Sequence, residues 1–212
     1  EDPQMPELEV FMTPMIVEEN LDKGKYEKTP LLKKFGRNLL VRGRKVAKPG
    51  VQIDINQERP KSLGTVRLRN SDPREYPLID PNYFSDPEDL EQLVKGVGVM
   101  REIMSQNEIS QYINQEIHPW LNANTRSEII EAIKITAYTG HHPCSTAKMG
   151  AKNDPMAVLD ENLKVRALNG LRVCDASAMP TQITGNLYAT VLAMAEKAAD
   201  IILDKPPLKE NL

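Results

Sequence analysis

The chain has few of the residues that define small, cross-linked or membrane-bound proteins. Cys144 and Cys174 are its only cysteines in 212 residues, and aromatics make up 5% with one tryptophan. Two cysteines this far apart build neither a disulfide framework nor a zinc site. Both stand among apolar or small neighbours and read as buried free thiols rather than a bridge. No apolar run approaches the roughly 18 residues that a membrane span needs. The N-terminal stretch EDPQMPELEVF is acidic, with no initiator Met, no basic flank and no apolar core, so it does not read as a signal peptide. The expectation is that the chain starts at an internal boundary, and nothing in it addresses a compartment. Also missing is a strand–GxGxxG–helix entry of the dinucleotide-binding kind. The one close pair, Gly96 and Gly98 in KGVGVM, falls inside a helical pattern and lacks the third glycine.

What is present is ordinary for a globular chain, 40% hydrophobic and 27% charged residues with a formal charge of −3. The charge is uneven. Ten Lys and Arg lie between Lys23 and Lys48 against Glu27 alone, a local balance of +9. Nucleic-acid or anionic-lipid surfaces have such runs, but within LLKKFGRNLLVRGRKVAK Phe35 is the one interleaved aromatic ring, and Gly36 and Gly43 would break any helix. The stretch reads as a solvated loop pairing with the acidic remainder, and neither nucleic acid nor membrane is expected as a partner.

Alternation in ELEVFMTPMIV, with Leu8, Val10 and Met12 on one side, predicts a half-buried strand ending at Pro14. VQIDIN and GTVRLRN predict two more, separated by a turn at Pro60 and Gly64. DPREYPLIDPNYF reads as extended and turn-rich. A helix follows, with Ser85 and Glu88 as a capping box, Pro87 at an early position, and Leu90, Leu93, Val94, Val97, Met100, Ile103 and Met104 on one face. A second helix starts at Thr125, capped with Glu128, shows Ile129, Ile130 and Ile133 to a core and ends near Gly140. LRVCDAS predicts a short strand running into a turn. A long final helix carries the stripe Leu187, Thr190, Val191, Met194, Ala195, Ala198, Ile201 and Ile202 up to Pro206. Antiparallel strands early and a strand–turn–helix unit late predict a mixed α+β architecture.

Chemistry concentrates in two segments. In YTGHHPCSTAKMG, Pro143 restricts His142 to an extended backbone, and the small residues after it let a flat ligand approach the main chain. His118, near Trp120, reads as a packing residue. No H-x-x-x-H, C-x-x-C or carboxylate cluster surrounds the histidine pair, so no metal is expected. In RVCDASAMPTQITGNLYAT, Asp175 closes a strand and Asn186 opens the final helix. Unpaired N–H groups and the positive dipole end of a helix suit an anion or a partly negative oxygen there.

These segments resemble a known family. GHHPCSTAKMG followed by LDENLKVRALNGLRVCDASAMPTQITGNLYATVLAMAEKAADIIL is similar to the C-terminal signature of glucose–methanol–choline (GMC) FAD-dependent oxidoreductases. PKSLGTVRLRNSDPREYPLIDPNYFSDPEDLEQLVKGVGVMREI resembles the segment before it, in a style closest to the insect glucose-dehydrogenase-like branch. The resemblance implies that residues 1–150 belong to an antiparallel-sheet substrate domain. Residues 151–212 would be the returning strand–helix part of a Rossmann-like FAD-binding domain whose N-terminal portion lies outside this sequence. It implies FAD as cofactor, that missing portion as partner, and a small alcohol or sugar as substrate. An extracellular location would rest on the resemblance alone.

The family pattern His-Pro-x-Gly-Thr-x-x-Met-Gly maps its catalytic histidine onto His142, with Ser145 where glycine is usual. His141 takes a usually aromatic or apolar position on the substrate side. The second catalytic position, Asn or His, maps onto Asn186. Asp175 and Ala176 would meet the FAD pyrophosphate, and Asn186 and Leu187 the pyrimidine end of the flavin. The implied reaction is hydride transfer from a substrate CH–OH group to FAD, assisted by an imidazole base while Asn186 orients the hydroxyl. A hydroxynitrile-lyase-type enzyme or a non-catalytic carrier or storage protein on the same fold are the alternatives.

Overall fold

A computed structural model of the chain describes residues 6–14, 16–17, 47–48, 50–117 and 123–206. Most of the basic stretch, and His118 with Trp120, lie outside these residues. The chain divides into two compact units, Val10–Ile55 on one hand and Glu1–Glu9 with Asn56–Leu212 on the other.

In the smaller unit, β2 (Ile16–Val17) pairs antiparallel with β3 (Ala47–Lys48), Ile16 facing Lys48 and Val17 facing Ala47. The expected strands β1 (Leu8–Thr13) and β4 (Gln52–Gln57) form, and are hydrogen-bonded to each other as a two-stranded sheet.

In the larger unit, β5 (Thr65–Arg67) and β6 (Leu78–Asp80) form an antiparallel pair with Val66 opposite Ile79. The segment read only as turn-rich thus supplies a strand. Gly64 stands where a Cβ would lie 2.3 Å from the Asp80 carbonyl oxygen, so the close approach at this end of the pair requires the missing side chain.

Helix α1 (Pro87–Met104) begins at Pro87, whose absent N–H costs nothing in the first turn. Its cap is Asp86, which accepts from the Glu88 N–H, not Ser85 as expected. Ser85 instead donates its own N–H to Asn82 O in the preceding turn. Val97 and Met100 are buried on the expected face, whereas Ile103 is exposed. Asp89, in the first turn, is among the most buried residues of the chain at 2% exposure. Its carboxylate accepts from the N–H groups of Lys61 and Ser62, 2.8 Å each, and from Gln57 Nε2 at 2.9 Å. One acid therefore fastens the segment after β4 to the start of α1.

After the one-turn α2 (Asn107–Ser110), helix α3 (Arg126–Thr136) packs on α1. Its capping box is complete, with Thr125 and Glu128 each accepting from the other's backbone N–H. Ile133 is buried, and the helix stops at Thr136, four residues before Gly140. Beyond it the chain winds through turns and isolated bridges, Met149 to Leu159, Leu159 to Val165 and Lys164 to Arg172. The predicted strand LRVCDAS is thus reduced to one bridge at Arg172, with Val173 N–H donating to Leu163 O. Its end, Ala176 and Ser177, accepts main-chain bonds from Ser145 and Ala147 of the histidine segment. Cys174 is exposed rather than buried while Cys144 is half-buried; both are free thiols.

A short 3-10 helix (Ala176–Ala178) and α4 (Tyr188–Ile202) complete the unit. The core here is Leu159, Leu163, Ala178 and Ala198, flanked by Met149, Val165, Val173 and Met194. It gathers the end of the histidine segment, the 159–165 turn, the stub of the predicted strand and α4 behind both chemistry-bearing segments. The overall class is the expected mixture of helices and small antiparallel sheets.

Candidate functional site

The histidine segment is irregular by necessity. His141 and Ser145 adopt left-handed φ angles of 63° and 67°, a region that side chains with a Cβ occupy at a cost. The His141 N–H donates to Thr139 Oγ1 at 3.0 Å, which holds the first of these turns. Between them His142 is half-buried, while His141 and Pro143 are exposed. Ser145 takes the position where the resemblance expects glycine, and its φ supplies the backbone reason for that preference.

Downstream the segment is sewn to the second motif. Ser145 N–H donates to Ala176 O (3.1 Å), Ala147 N–H to Ser177 O (2.9 Å) and Met149 N–H to Ala178 O (2.9 Å). Three main-chain bonds leave little freedom for one motif relative to the other. Asp175 caps the short 3-10 helix, accepting from the Ser177 N–H at 2.8 Å and from its hydroxyl. Its carboxylate therefore has a local structural task, and Ala176 beside it is half-buried.

Helix α4 starts at Tyr188, with Leu187 as its cap residue and no side-chain cap bond to its first N–H groups among the described residues. Leu187 is buried, whereas Asn186, Tyr188 and Ala189 are exposed. Gly185 before them has φ +85°, with open space where a Cβ would be. Uncapped donors and a positive dipole end beside an open approach fit the electronegative edge of a flat group such as a flavin.

Two residues not singled out in the sequence stand beside these. Glu58, at the end of β4 and 3% exposed, accepts the Gly185 N–H on its Oε2. Glu9, from β1, is its neighbour in the lining of one cavity, with a buried Oε2 that has no hydrogen-bond partner among the described residues. Burial, then the negative charge of Glu58 and the bond to it, raise the Glu9 pKa above the ordinary carboxyl value, and His142 pulls it back down. A cavity of about 310 Å³ opens here, lined by Pro6, Leu8, Glu9, Glu58, Thr184 and Gly185. Glu58 thus bonds to the residue preceding Asn186, and Glu9 lines the same cavity. No sequence signal marked the two acids. Glu9 falls on the polar side of an alternating strand, and Glu58 in NQERP reads as a solvated strand end.

A family model described as GMC oxidoreductase matches residues 60–195. Choline oxidase of Arthrobacter globiformis is 39% identical over 170 residues, 79% of this chain and 31% of its own length. Among solved structures, pyridoxine 4-oxidase from Mesorbium loti superposes with a TM-score of 0.66 and 32% identity, over 77% of this chain and 31% of its own. An FAD-dependent oxidoreductase from Chaetomium thermophilum gives a TM-score of 0.66 and 28% identity, over 82% of this chain and 30% of its own. The chain thus spans under a third of the length of these relatives. The histidine segment, the Asp175 turn and the start of α4 all lie inside the matched region, and the chain belongs to the GMC oxidoreductase family.

Proposed function

We propose that this chain is the C-terminal part of a FAD-dependent oxidoreductase acting on the CH–OH group of a small alcohol or sugar. Its partner is the N-terminal FAD-binding portion of the same enzyme. On this reading residues 1–150 contribute to the substrate domain and 151–212 to the FAD-binding domain. Bound FAD supplies the hydride acceptor. His142 takes the hydroxyl proton on an imidazole nitrogen, Asn186 donates its amide N–H to the substrate oxygen, and His141 lines the substrate side. The uncapped N–H groups of α4, with Asn186 and Leu187, face the electronegative edge of the cofactor, and Asp175 and Ala176 its pyrophosphate.

The observation that carries this reading is the three-bond ladder fixing the His142 segment to the Ala176–Ala178 turn, beside a helix start that no described side chain caps. The need for a partner is supported by α4, whose apolar surface is wider than the part this chain's own core covers. Ala198 is buried against this chain's own core, while Tyr188, Leu192 and Ile202, at spacings of one and three turns or so, are exposed at 74%, 48% and 61%. A helix with so wide an apolar surface belongs inside a larger domain. The similarity to choline oxidase supports a small alcohol as substrate. The insect glucose-dehydrogenase-like style of the segments quoted above supports a sugar.

The test is anaerobic mixing of alcohols with the full-length flavoprotein. Flavin bleaching is expected, together with a His142→Ala loss of about 10²- to 10⁴-fold in kcat/KM. Unchanged turnover in His142→Ala, or full flavin-linked turnover by residues 1–212 alone, overturns it.

A further inference from the structure

We propose that Glu58 is a positioning residue for Asn186: its buried carboxyl group clamps the Gly185 amide and so sets the direction from which the Asn186 side chain reaches the substrate. The inference rests on the reading of Asn186 as the group that orients the substrate hydroxyl.

The loop that carries Asn186 has little else to hold it. Residues 180–186 run from the Ala176–Ala178 turn to α4, and no described side chain caps that helix. Gly185 has φ +85°, a conformation open to glycine without steric cost and equally easy for it to leave. Among the described residues, the bond from the Gly185 N–H to Glu58 Oε2 is the one hydrogen bond that the 180–186 loop makes. Rotation about the Gly185 backbone swings the following residue as a whole, and that residue is Asn186. Its side chain is exposed, so its aim comes from the main chain rather than from packing around it.

The other end of the clamp is fixed. Glu58 follows β4, its own N–H donates to Glu7 O at 2.9 Å, and the residue is 3% exposed. An acid this buried is uncommon without a partner, and the partner here comes from 127 positions along the chain. Packing alone gives no reason for an acid at this place, since an apolar side chain would fill it without the desolvation cost. The cavity lined by Glu58, Thr184 and Gly185 leaves the loop room to move once the bond is cut. On the domain reading proposed above, the clamp also ties the substrate domain to the FAD-binding domain beside the orienting amide.

The test is anaerobic flavin reduction in the full-length holoenzyme by an alcohol that the wild type oxidises. It is read as a first-order rate constant, which loss of folded enzyme does not change. Glu58→Ala removes the acceptor and should slow reduction by about 10- to 10²-fold. Glu58→Gln keeps an oxygen for the Gly185 N–H and should stay within about threefold of wild type. In an Asn186→Ala background, Glu58→Ala should cost less than about threefold, because the group being aimed is gone. A residue that only supports the fold would cost the same factor in both backgrounds. A second measurement needs no variant: the Gly185 amide of the wild-type holoenzyme should be protected from hydrogen exchange. A Glu58→Ala rate close to wild type, a Glu58→Gln loss as large as that of Ala, equal costs in both backgrounds, or rapid exchange at Gly185 overturns the proposal. If Asn186→Ala is slow while the Glu58 variants show no coupling to it, the clamp alone is wrong; if Asn186→Ala reduces its flavin as fast as wild type, the underlying reading of Asn186 is wrong.

Discussion

Replacing Asp89 by Ala tests how the segment after β4 is held to helix α1. The carboxylate is 2% exposed and receives three hydrogen bonds, from Lys61 N–H, Ser62 N–H and Gln57 Nε2. Gln57 keeps a second partner in the variant, since its Nε2 also donates to Gln92 Oε1 at 2.7 Å. The two backbone donors have no replacement in Ala. A buried donor left unpaired costs about 1–3 kcal/mol. Ser62 is half-buried and Lys61 exposed, so water rescues the second in part. The sum is about 2–4 kcal/mol of lost stability, read from urea unfolding of wild type and variant.

The pH dependence of this loss has a definite sign. Burial raises the Asp89 carboxyl, but the bonds from Lys61, Ser62 and Gln57 outweigh it and hold its pKa below the ordinary value. A carboxylate with a depressed folded pKa contributes stability that is fully present above its unfolded pKa, about 4, and is lost as pH falls through the folded one. The gap between wild type and Asp89→Ala should therefore be wide at neutral pH and narrow below about pH 4. A loss under about 1 kcal/mol, or one that stays constant into acid, would refute the reasoning.

Ser145→Gly should raise stability by about 0.5–1 kcal/mol, because relief of a left-handed φ worth about 1–2 kcal/mol exceeds the added unfolded-state entropy of glycine; a lowered melting temperature would count against it. Gly64→Ala should cost about 1–3 kcal/mol, since the atom its Cβ would meet is backbone and cannot swing aside; thermal unfolding checks this. Leu159→Ala empties the centre of the C-terminal core, where Leu159 is 0% exposed, and should cost about 2–5 kcal/mol in chemical denaturation.

Features encoded within a few residues were legible from sequence. Thr125 and Glu128 cap α3 as read because both partners of the box lie within one turn. The start of α1 was placed one residue early, since Ser85 and Asp86 are both good caps and the turn from Asn82 engages the Ser85 N–H. LRVCDAS has strand composition, yet its main-chain partners are the 159–165 turn at one end and the irregular histidine segment at the other, and propensity without a regular strand beside it gives one bridge. The two motifs could be located by their residue types. The acids beside them could not, because burial of Glu58 and Asp89 comes from residues tens of positions away: Gly185 for the first, Lys61 and Ser62 for the second. In a first helical turn Asp89 looks like an ordinary complement to the dipole.

The ladder from residues 145, 147 and 149 to residues 176–178 has a consequence for local opening. These three amides should exchange with deuterium as a block, at one common rate, because releasing any of them means peeling the two strands of chain apart. Fluctuations that would misaim the imidazole and fluctuations that would loosen the turn after Asp175 are then one event. A lineage that altered either stretch would have to re-fit both, so the two are expected to change together as a matched set.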